Sequence, residues 1–150
     1  MDDLDIKILR TMQANPTFSA EETSRHVGLS HTPCWRRVKK LEADGVIVDR
    51  AILLDPRKLN LNLTVFAQIK LKQHDEKTLE EIESAARACP QIVECFSMTG
   101  EADYVCRMIV ADVDEYERLL KRTLLHFPGV GSINSSVALK QVKLTTKIPI

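Results

Sequence analysis

The sequence predicts an α+β fold in which a winged helix-turn-helix unit precedes a ferredoxin-like βαββαβ domain. Three observations lead to this prediction. Apolar residues recur at helical spacing in the first third of the chain, strand and helix patterns alternate from residue 63 onward, and a short polar stretch separates the two regions. We therefore expect a first domain at residues 1–54, a linker at residues 55–62 and a second domain at residues 63–150.

The first two helices are predicted by apolar spacing and by their caps. The apolar stripe of the first helix consists of Leu4, Ile8 and Met12. This helix ends at Asn15-Pro16, because the residue before a proline is disfavoured in helical conformation. The second helix follows Ser19, where Glu22 completes a capping box, and it ends at Gly28, since glycine readily takes the left-handed conformation.

The third helix presents two contrasting faces. It begins at Ser30 or Thr32, both suitable N-caps, has Pro33 in its first turn, and ends at Asp44-Gly45. Its apolar face consists of Cys34, Val38 and Leu41. Its opposite face presents Thr32, Arg36, Lys39 and Lys40. Two alternating segments between residues 46 and 54 then predict a small hairpin, the wing.

Strands and helices alternate in the second half of the chain. Leu63 to Leu71 alternates apolar and largely polar residues, as a half-buried strand does. The further elements are a helix at 78–89, strands at 92–98 and 104–111, a helix that Asp112 caps, and a last strand at about 133–144. This βαββαβ order is the ferredoxin-like arrangement.

Composition excludes several classes of protein. No apolar run is long enough for a membrane span, and the acidic start of the chain differs from a secretory signal, so we expect a cytoplasmic protein without membrane contact. The four cysteines form no C-x-x-C pair, and the histidines show no ligand spacing. No nucleophile elbow or phosphate loop occurs. We therefore expect neither an enzyme nor a metal site or cofactor.

A local basic patch indicates binding to double-stranded DNA although the net charge is 0. Residues 36–40 contain four cations in five positions, and they lie on the helix that a helix-turn-helix inserts into the major groove. The candidate DNA-binding residues are Ser30, His31, Thr32, Pro33, Arg36, Arg37, Lys39 and Lys40. The alternative is a solvated charged face without a ligand. Trp35 is expected to pack beneath the helix rather than to contact DNA.

Several motifs along the chain resemble the leucine-responsive regulatory protein (Lrp/AsnC) family. They are Val27-Gly28-Leu29-Ser30, Thr32-Pro33-Cys34-Trp35-Arg36-Arg37, Gly100-Glu101-Ala102-Asp103-Tyr104 and Thr145-Thr146-x-x-Pro149-Ile150. The resemblance implies a nucleoid-associated transcription regulator whose ferredoxin-like domain binds a small effector, usually an amino acid. It also implies homodimers that gather into octamers or similar rings.

The same resemblance implies an effector site between dimers, near the loop that joins the second and third strands. The implied effector-binding residues are Gly100, Glu101, Ala102, Asp103, Tyr104, Ser135, Ser136 and Val137. Asp103 can accept from an ammonium group, and the amides around Gly100 can donate to a carboxylate. Without the resemblance, this segment is simply a hairpin turn.

Two classes of function are compatible with the sequence. The first is a DNA-binding regulator in which an effector changes the association of dimers. The second is an amino-acid-sensing module that acts on a protein partner and does not bind DNA. A separate hypothesis makes Cys34 a thiol sensor within the third helix, against its alternative as a small core residue.

Overall fold

The computed structural model describes all 150 residues, which form two compact units. The first unit consists of residues 1–53 together with 143–150, and the second consists of residues 54–142. None of the helices combines the length and the apolar character that crossing a lipid bilayer requires.

Three helices build the first unit, and their starts and ends follow the caps in the sequence. They are α1 (Asp3–Ala14), α2 (Ala20–Val27) and α3 (His31–Ala43). Ser19 and Glu22 form the predicted capping box of α2, and Gly28 closes the helix with a left-handed φ of 78°. Ser30, not Thr32, is the N-cap of α3. The apolar faces meet in one core of Ile8, Leu9, Val27, Cys34, Val38 and Leu41.

In the single chain, the C-terminal segment, residues 143–150, groups with this helical unit, although we predicted it as the end of the second domain. The Gln13 side chain accepts from the backbone N–H of Ile148 at 2.8 Å and donates to its carbonyl oxygen at 3.3 Å. Arg10 Nε donates to the carbonyl oxygen of Ile150 at 2.7 Å. Two side chains of α1 therefore hold the end of the chain through its backbone.

The segments expected to pair as the wing, Val46–Val48 and Ala51–Leu54, form no strands in the single chain. Apart from Ile47, their apolar side chains are exposed, with Val48 at 89% and Ile52 at 86%. A two-stranded hairpin is marginal in water unless one face packs on another element. Ile47 alone makes such a contact, and it leaves the rest of both segments unsupported, which explains why the predicted pairing is absent.

Four strands and two helices form the second unit, after a 3-10 turn at Pro56–Leu59 within the predicted linker. The elements are β1 (Leu63–Leu71), α4 (Glu76–Ala88), β2 (Ile92–Ser97), β3 (Tyr104–Val110), α5 (Val113–Arg122), a 3-10 turn (Leu124–His126) and β4 (Val130–Val137). The sheet is antiparallel with the order β2-β3-β1-β4. This topology confirms the predicted ferredoxin-like domain.

The two helices cover one face of this sheet, and that face carries the core. The buried side chains of β1 and β3 alternate with more exposed ones, and Ile82 of α4 and Leu119 of α5 pack onto them. The helix residues of the core all lie on that face. The other face is here called the open face. It includes Phe66, Phe96, Val105, Arg107 and Ser136, whose strand neighbours point into the core.

Two element bounds differ from the sequence-based expectation. Helix α4 begins at Glu76, because the Asp75 side chain accepts from the backbone N–H of Thr78 and so caps an earlier turn. Strand β4 covers residues 130–137 rather than about 133–144, because its pairing with β1 runs out near the start of β1: Val137 lies opposite Val65, and a last bond joins Ala138 N to Thr64 O at 2.9 Å. Gly129 precedes this strand with a φ of 73°, and a side chain there would also collide with Thr78.

Candidate functional site

The outer face of α3 is the first candidate surface. Cys34, Val38 and Leu41 are buried on the inner face, as predicted, so the helix is fixed to its neighbours along that stripe. Exposed on the opposite side are Thr32, Arg36, Lys39 and Lys40. A side-chain row that projects from a firmly packed helix is the arrangement with which a helix-turn-helix reads the major groove.

The N-terminus of α3 is open, unlike those of its neighbours. Helices α1 and α2 each have a complete capping box, whereas the Ser30 side chain makes no cap hydrogen bond and the first turn of α3 contains no acid. His31, Thr32 and Pro33 are exposed beside it. Because uncompensated helix N–H groups favour anions, this end suits a phosphate.

Most of the cations predicted to meet DNA are ion-paired within the chain. Lys39 Nζ lies 2.7 Å from Glu42 Oε2, and Lys40 Nζ lies 2.8 Å from Asp44 Oδ2. The hydrogen bond from Lys39 lowers the pKa of Glu42, and that to Asp44 raises the pKa of Lys40. Arg36 makes no ion pair and no side-chain hydrogen bond within the chain. It is therefore the free cation at the centre of the outer face.

Arg37 points toward α1 instead of along the outer face. Its Nη1 donates to Asp5 Oδ1 at 2.7 Å and to Asp2 Oδ2 at 2.8 Å. Hydrogen bonds to Asp5 and then to Asp2 raise the pKa of Arg37. The same two carboxylates form the capping box of α1, so Arg37 ties the start of α1 to the middle of α3.

Trp35 does not pack beneath α3 as expected, because 46% of its surface is exposed. Successive residues of an α-helix are rotated by about 100° around its axis, so Trp35 points away from the buried side on which Cys34 lies. Sequence reasoning missed this residue as a surface feature, although its place outside the Cys34, Val38 and Leu41 stripe carried the signal. Cys34 itself is fully buried, and burial raises the pKa of its thiol, which disfavours the reactive thiolate.

The loop between β2 and β3 is the second candidate surface. Gly100 has a φ of 115°, a conformation that side chains rarely adopt. Met98 N donates to Asp103 O, and this bond closes the turn at 2.9 Å. Within the chain, none of the four backbone N–H groups from Thr99 to Ala102 donates a hydrogen bond. The loop therefore presents a short run of free donors.

Asp103 is held by its own chain at both carboxylate oxygens. Leu71 N donates to Oδ2 at 2.7 Å, and His74 Nε2 lies 2.7 Å from Oδ1. The hydrogen bond from the Leu71 backbone and that from His74 lower the pKa of Asp103. The Leu71 donor is a backbone N–H at the end of β1, so its position is fixed. The His74 side chain is 59% exposed, so another group can replace it at Asp103.

Tyr104 lies next to this loop but points into the core. It is 3% exposed, and its hydroxyl donates to Glu83 Oε1 at 3.1 Å. Burial, followed by this contact with Glu83, raises the pKa of Tyr104 to about 12. Its side chain is therefore held by Glu83 and the core and is not available to an effector at the loop.

The three candidates on β4 are not brought to this loop within one chain. Ile69 of β1 pairs with Tyr104 of β3 on one side and with Ile133 of β4 on the other, whereas Ser135 pairs with Ala67, two residues further along β1. Ser135 is therefore displaced from Tyr104 by about 6.6 Å along the strands, which is two residues, and by about 9.6 Å across the sheet, which is two strand spacings. Ser135 contacts the Tyr116 hydroxyl on the core face, while Ser136 lies on the open face. One chain therefore leaves the predicted effector residues in two places.

Comparison with known proteins places this geometry in a family. Residues 64–148 match the Lrp/AsnC ligand binding domain, and residues 1–48 match a winged helix-turn-helix DNA-binding domain. The DNA-binding transcriptional activator DecR of Escherichia coli K12 is 37% identical over 150 residues, covering 100% of this chain and 99% of that protein.

Two solved structures share the whole architecture. The crystal structure of an AsnC family transcriptional regulator from Agrobacterium tumefaciens has a TM-score of 0.92 and 40% identity, covering 99% of this chain and 97% of its own. A transcriptional regulator from Neisseria meningitidis in complex with L-Met has a TM-score of 0.92 and 36% identity, covering 99% and 96%. Both halves of the sequence and the full-length fold agree, and the chain belongs to the Lrp/AsnC family.

Proposed function

We propose that this protein is a sequence-specific DNA-binding transcription regulator that responds to an amino acid. The observation that carries the proposal is the outer face of α3, where Arg36 stands free on a helix-turn-helix that matches a DNA-binding model over residues 1–48. The relatives support it, because DecR is a DNA-binding activator and the N. meningitidis regulator was solved with L-Met.

The DNA contacts divide by how freely each side chain can reach the duplex. Arg36 contacts a guanine edge or a phosphate directly, since no acid holds it. Ser30, His31, Thr32 and Pro33 form the open helix end, where hydroxyls and backbone N–H groups meet a phosphate or a base. Lys39 and Lys40 bind phosphates after leaving Glu42 and Asp44. Arg37 acts as a positioning residue through α1.

The chain has no net charge, and α3, the helix that reads DNA (the reading helix), carries one free arginine. Useful affinity for DNA therefore requires more than one copy. The open face of the sheet offers an interface, because Phe66 and Phe96 are 40% and 56% exposed there. A second copy on this face makes a homodimer with two reading helices, and further association gives the octamer or similar ring. Two-fold symmetry then requires half-sites one helical turn, or a multiple of it, apart.

The effector binds at the β2–β3 loop, with its carboxylate on the free amides between Thr99 and Ala102. Its ammonium group replaces His74 at Asp103 Oδ1, while Leu71 keeps Oδ2 in place. Ser135, Ser136 and Val137 complete the site from another copy, because they lie too far from the loop in their own chain. An amino acid bound in this way favours one assembly over another, which couples the effector to DNA.

Fluorescence anisotropy with duplexes from upstream of the protein's own gene tests the proposal. We expect affinity that falls linearly with the logarithm of salt concentration and exceeds the affinity for a shuffled duplex of equal composition. The alternative, a sensing module that acts on a protein partner, predicts no salt-dependent binding of any duplex. That result would reject the proposal. The family relatives, which are named as transcription regulators, favour the DNA-binding class.

A further inference from the structure

Two cysteines lie directly opposite each other on neighbouring strands of the second unit. Cys95 on β2 pairs in register with Cys106 on β3, and their Sγ atoms are 3.2 Å apart. Directly opposed residues of antiparallel strands have Cα atoms about 4.5–5.5 Å apart. This separation falls inside the range of about 4.4–6.8 Å that disulfides span. A bond between the two sulfurs thus needs little movement of the backbone.

The two thiols differ in access and in chemistry. Cys95 is exposed at the sheet edge, whereas Cys106 is 1% exposed in the core. The Cys106 thiol donates its hydrogen bond to Cys95 Sγ, which favours the Cys95 thiolate and lowers the pKa of Cys95. The same donation, together with burial, raises the pKa of Cys106. An accessible cysteine whose thiolate is favoured, beside a protected thiol, is the arrangement of an attacking and a resolving cysteine.

Cys95 also borders a cleft through which a small oxidant can approach. The cleft has a volume of about 410 Å³ and lies between α4 and the edge strand β2. Its walls include Glu83, Arg87 and Tyr104. Burial and the Glu83 carboxylate raise the pKa of Cys95 and Arg87 lowers it, but the hydrogen bond from Cys106 outweighs them. No third cysteine, histidine or carboxylate joins the pair in a metal-binding cluster. The geometry therefore favours redox chemistry over metal binding.

We propose that Cys95 and Cys106 form a hydroperoxide-reactive pair that closes to a disulfide within one chain. The Cys95 thiolate attacks a peroxide oxygen, so that an S–O bond forms, the O–O bond breaks, and the departing hydroxide takes a proton to become water. Cys106 then loses its proton and attacks the sulfenic sulfur. An S–S bond forms, the S–O bond breaks, and the hydroxide leaves as a second water. With hydrogen peroxide, two thiols are oxidised by two electrons and the peroxide is reduced to two waters.

The disulfide has a direct consequence for the loop between the two strands. Cys95 lies three residues before Met98, and Cys106 lies three residues after Asp103, so the bond staples the hairpin beneath the loop. The disulfide thereby adds oxidant control to the effector site, a claim that rests on the proposed function. The disulfide itself does not depend on that function, and the two claims are measured separately.

Peptide mapping of the full-length protein tests the disulfide. The protein is treated with hydrogen peroxide, alkylated without reduction, and cleaved after glutamate. Cleavage after Glu94 and Glu101 places Cys89, Cys95 and Cys106 on three different peptides. We expect the Cys95 and Cys106 peptides joined, with two hydrogen atoms missing, and Cys34 and Cys89 alkylated only after denaturation.

Three results would overturn the proposal. They are a Cys95–Cys95 bond between chains, a bond from Cys106 to Cys89, and oxidation of Cys95 to sulfinic acid while Cys106 stays free. Cys106→Ser should leave Cys95 as a sulfenic acid that a dimedone probe traps, and Cys89→Ser, the matched control, should still form the disulfide. Effector affinity, measured by calorimetry on reduced and oxidised protein, then tests the staple. Equal affinities would reject oxidant control, and an absence of amino-acid binding in both would instead reject the proposed function.

Discussion

Arg36→Ala should weaken DNA binding without altering the fold or the oligomer. Arg36 is exposed and free of ion pairs, so its removal leaves no acid without a partner. Arg118 is the matched control, because it is an exposed arginine on α5 that likewise makes no ion pair. Melting temperature and sedimentation should be the same for both variants and the wild type.

The size of the effect follows from the number of phosphates lost. Each phosphate contact contributes about −0.9 to the slope of log K against log salt, so a dimer that loses two contacts changes its slope by about 1.8. Between about 50 and 200 mM salt, the wild type should therefore lose about twelvefold more affinity than Arg36→Ala does. Adding Lys39→Ala should have a smaller further effect, because Lys39 must first leave Glu42.

Anisotropy titrations at four or more salt concentrations measure this slope. If Arg36 reads a guanine edge instead, the slope stays constant and the preference for the specific duplex falls by about 1–3 kcal/mol per base contact. Affinity, slope and preference that all match those of Arg118→Ala would refute the assignment of the outer face of α3 to DNA.

Three further predictions concern the elements that support these surfaces. Arg37→Ala should lower the melting temperature in scanning fluorimetry, since Asp2 and Asp5 lose their shared partner, whereas Lys40→Ala should not; equal values would contradict a positioning role. Asp103 has a pKa held below its ordinary 3.8, so its stabilisation is complete above about pH 5 and is lost as the pH falls through 3.8 and below. Asp103→Asn should therefore flatten the fall of melting temperature between about pH 5 and 3, and an unchanged profile would exclude this contribution. Ile82→Ala should lower the free energy of unfolding in urea by about 2–5 kcal/mol, because the side chain is 1% exposed, while Glu80→Ala should leave it unchanged.

Local signals account for the parts of the fold that the sequence predicted well. The capping box of Ser19 and Glu22 and the left-handed Gly28 act within one helical turn, so they can be recognised without knowledge of the fold. The alternation from Leu63 to Leu71 reflects a strand with one buried face, and the structure confirms it. Asp75, the cap of α4, is an equally local signal. The prediction overlooked it, so the expected start of that helix was too late.

Long-range partners account for what the sequence did not reveal. Arg37 of the basic patch on α3 has no acid within reach on its own helix turn, yet it finds Asp2 and Asp5 more than thirty residues away. Asp103 is engaged by Leu71 for the same kind of reason, and Gln13 binds the backbone of Ile148 across 135 positions. Periodicity identifies the face of an element, but only the packed fold decides which charges on that face remain free.

Other sequence-based expectations are not met within a single chain. Ser135, Ser136 and Val137 lie away from the Gly100 loop in one chain, and Val48 and Ile52 project into solvent. In a sequence, residues that would contact another molecule carry the same pattern as ordinary surface or strand residues. The single chain therefore explains the reading helix more fully than it explains the effector site.

The most direct test of the account is the coupling between effector and DNA. A thermal-shift screen of the common amino acids first identifies a ligand, because one that binds the native protein raises its melting temperature. DNA affinity is then measured with and without that amino acid, and amino-acid affinity with and without DNA. We predict that both affinities change by the same factor, as linkage requires, and that Asp103→Asn removes the change. An amino acid that binds the wild type but leaves its DNA affinity unaltered would contradict it.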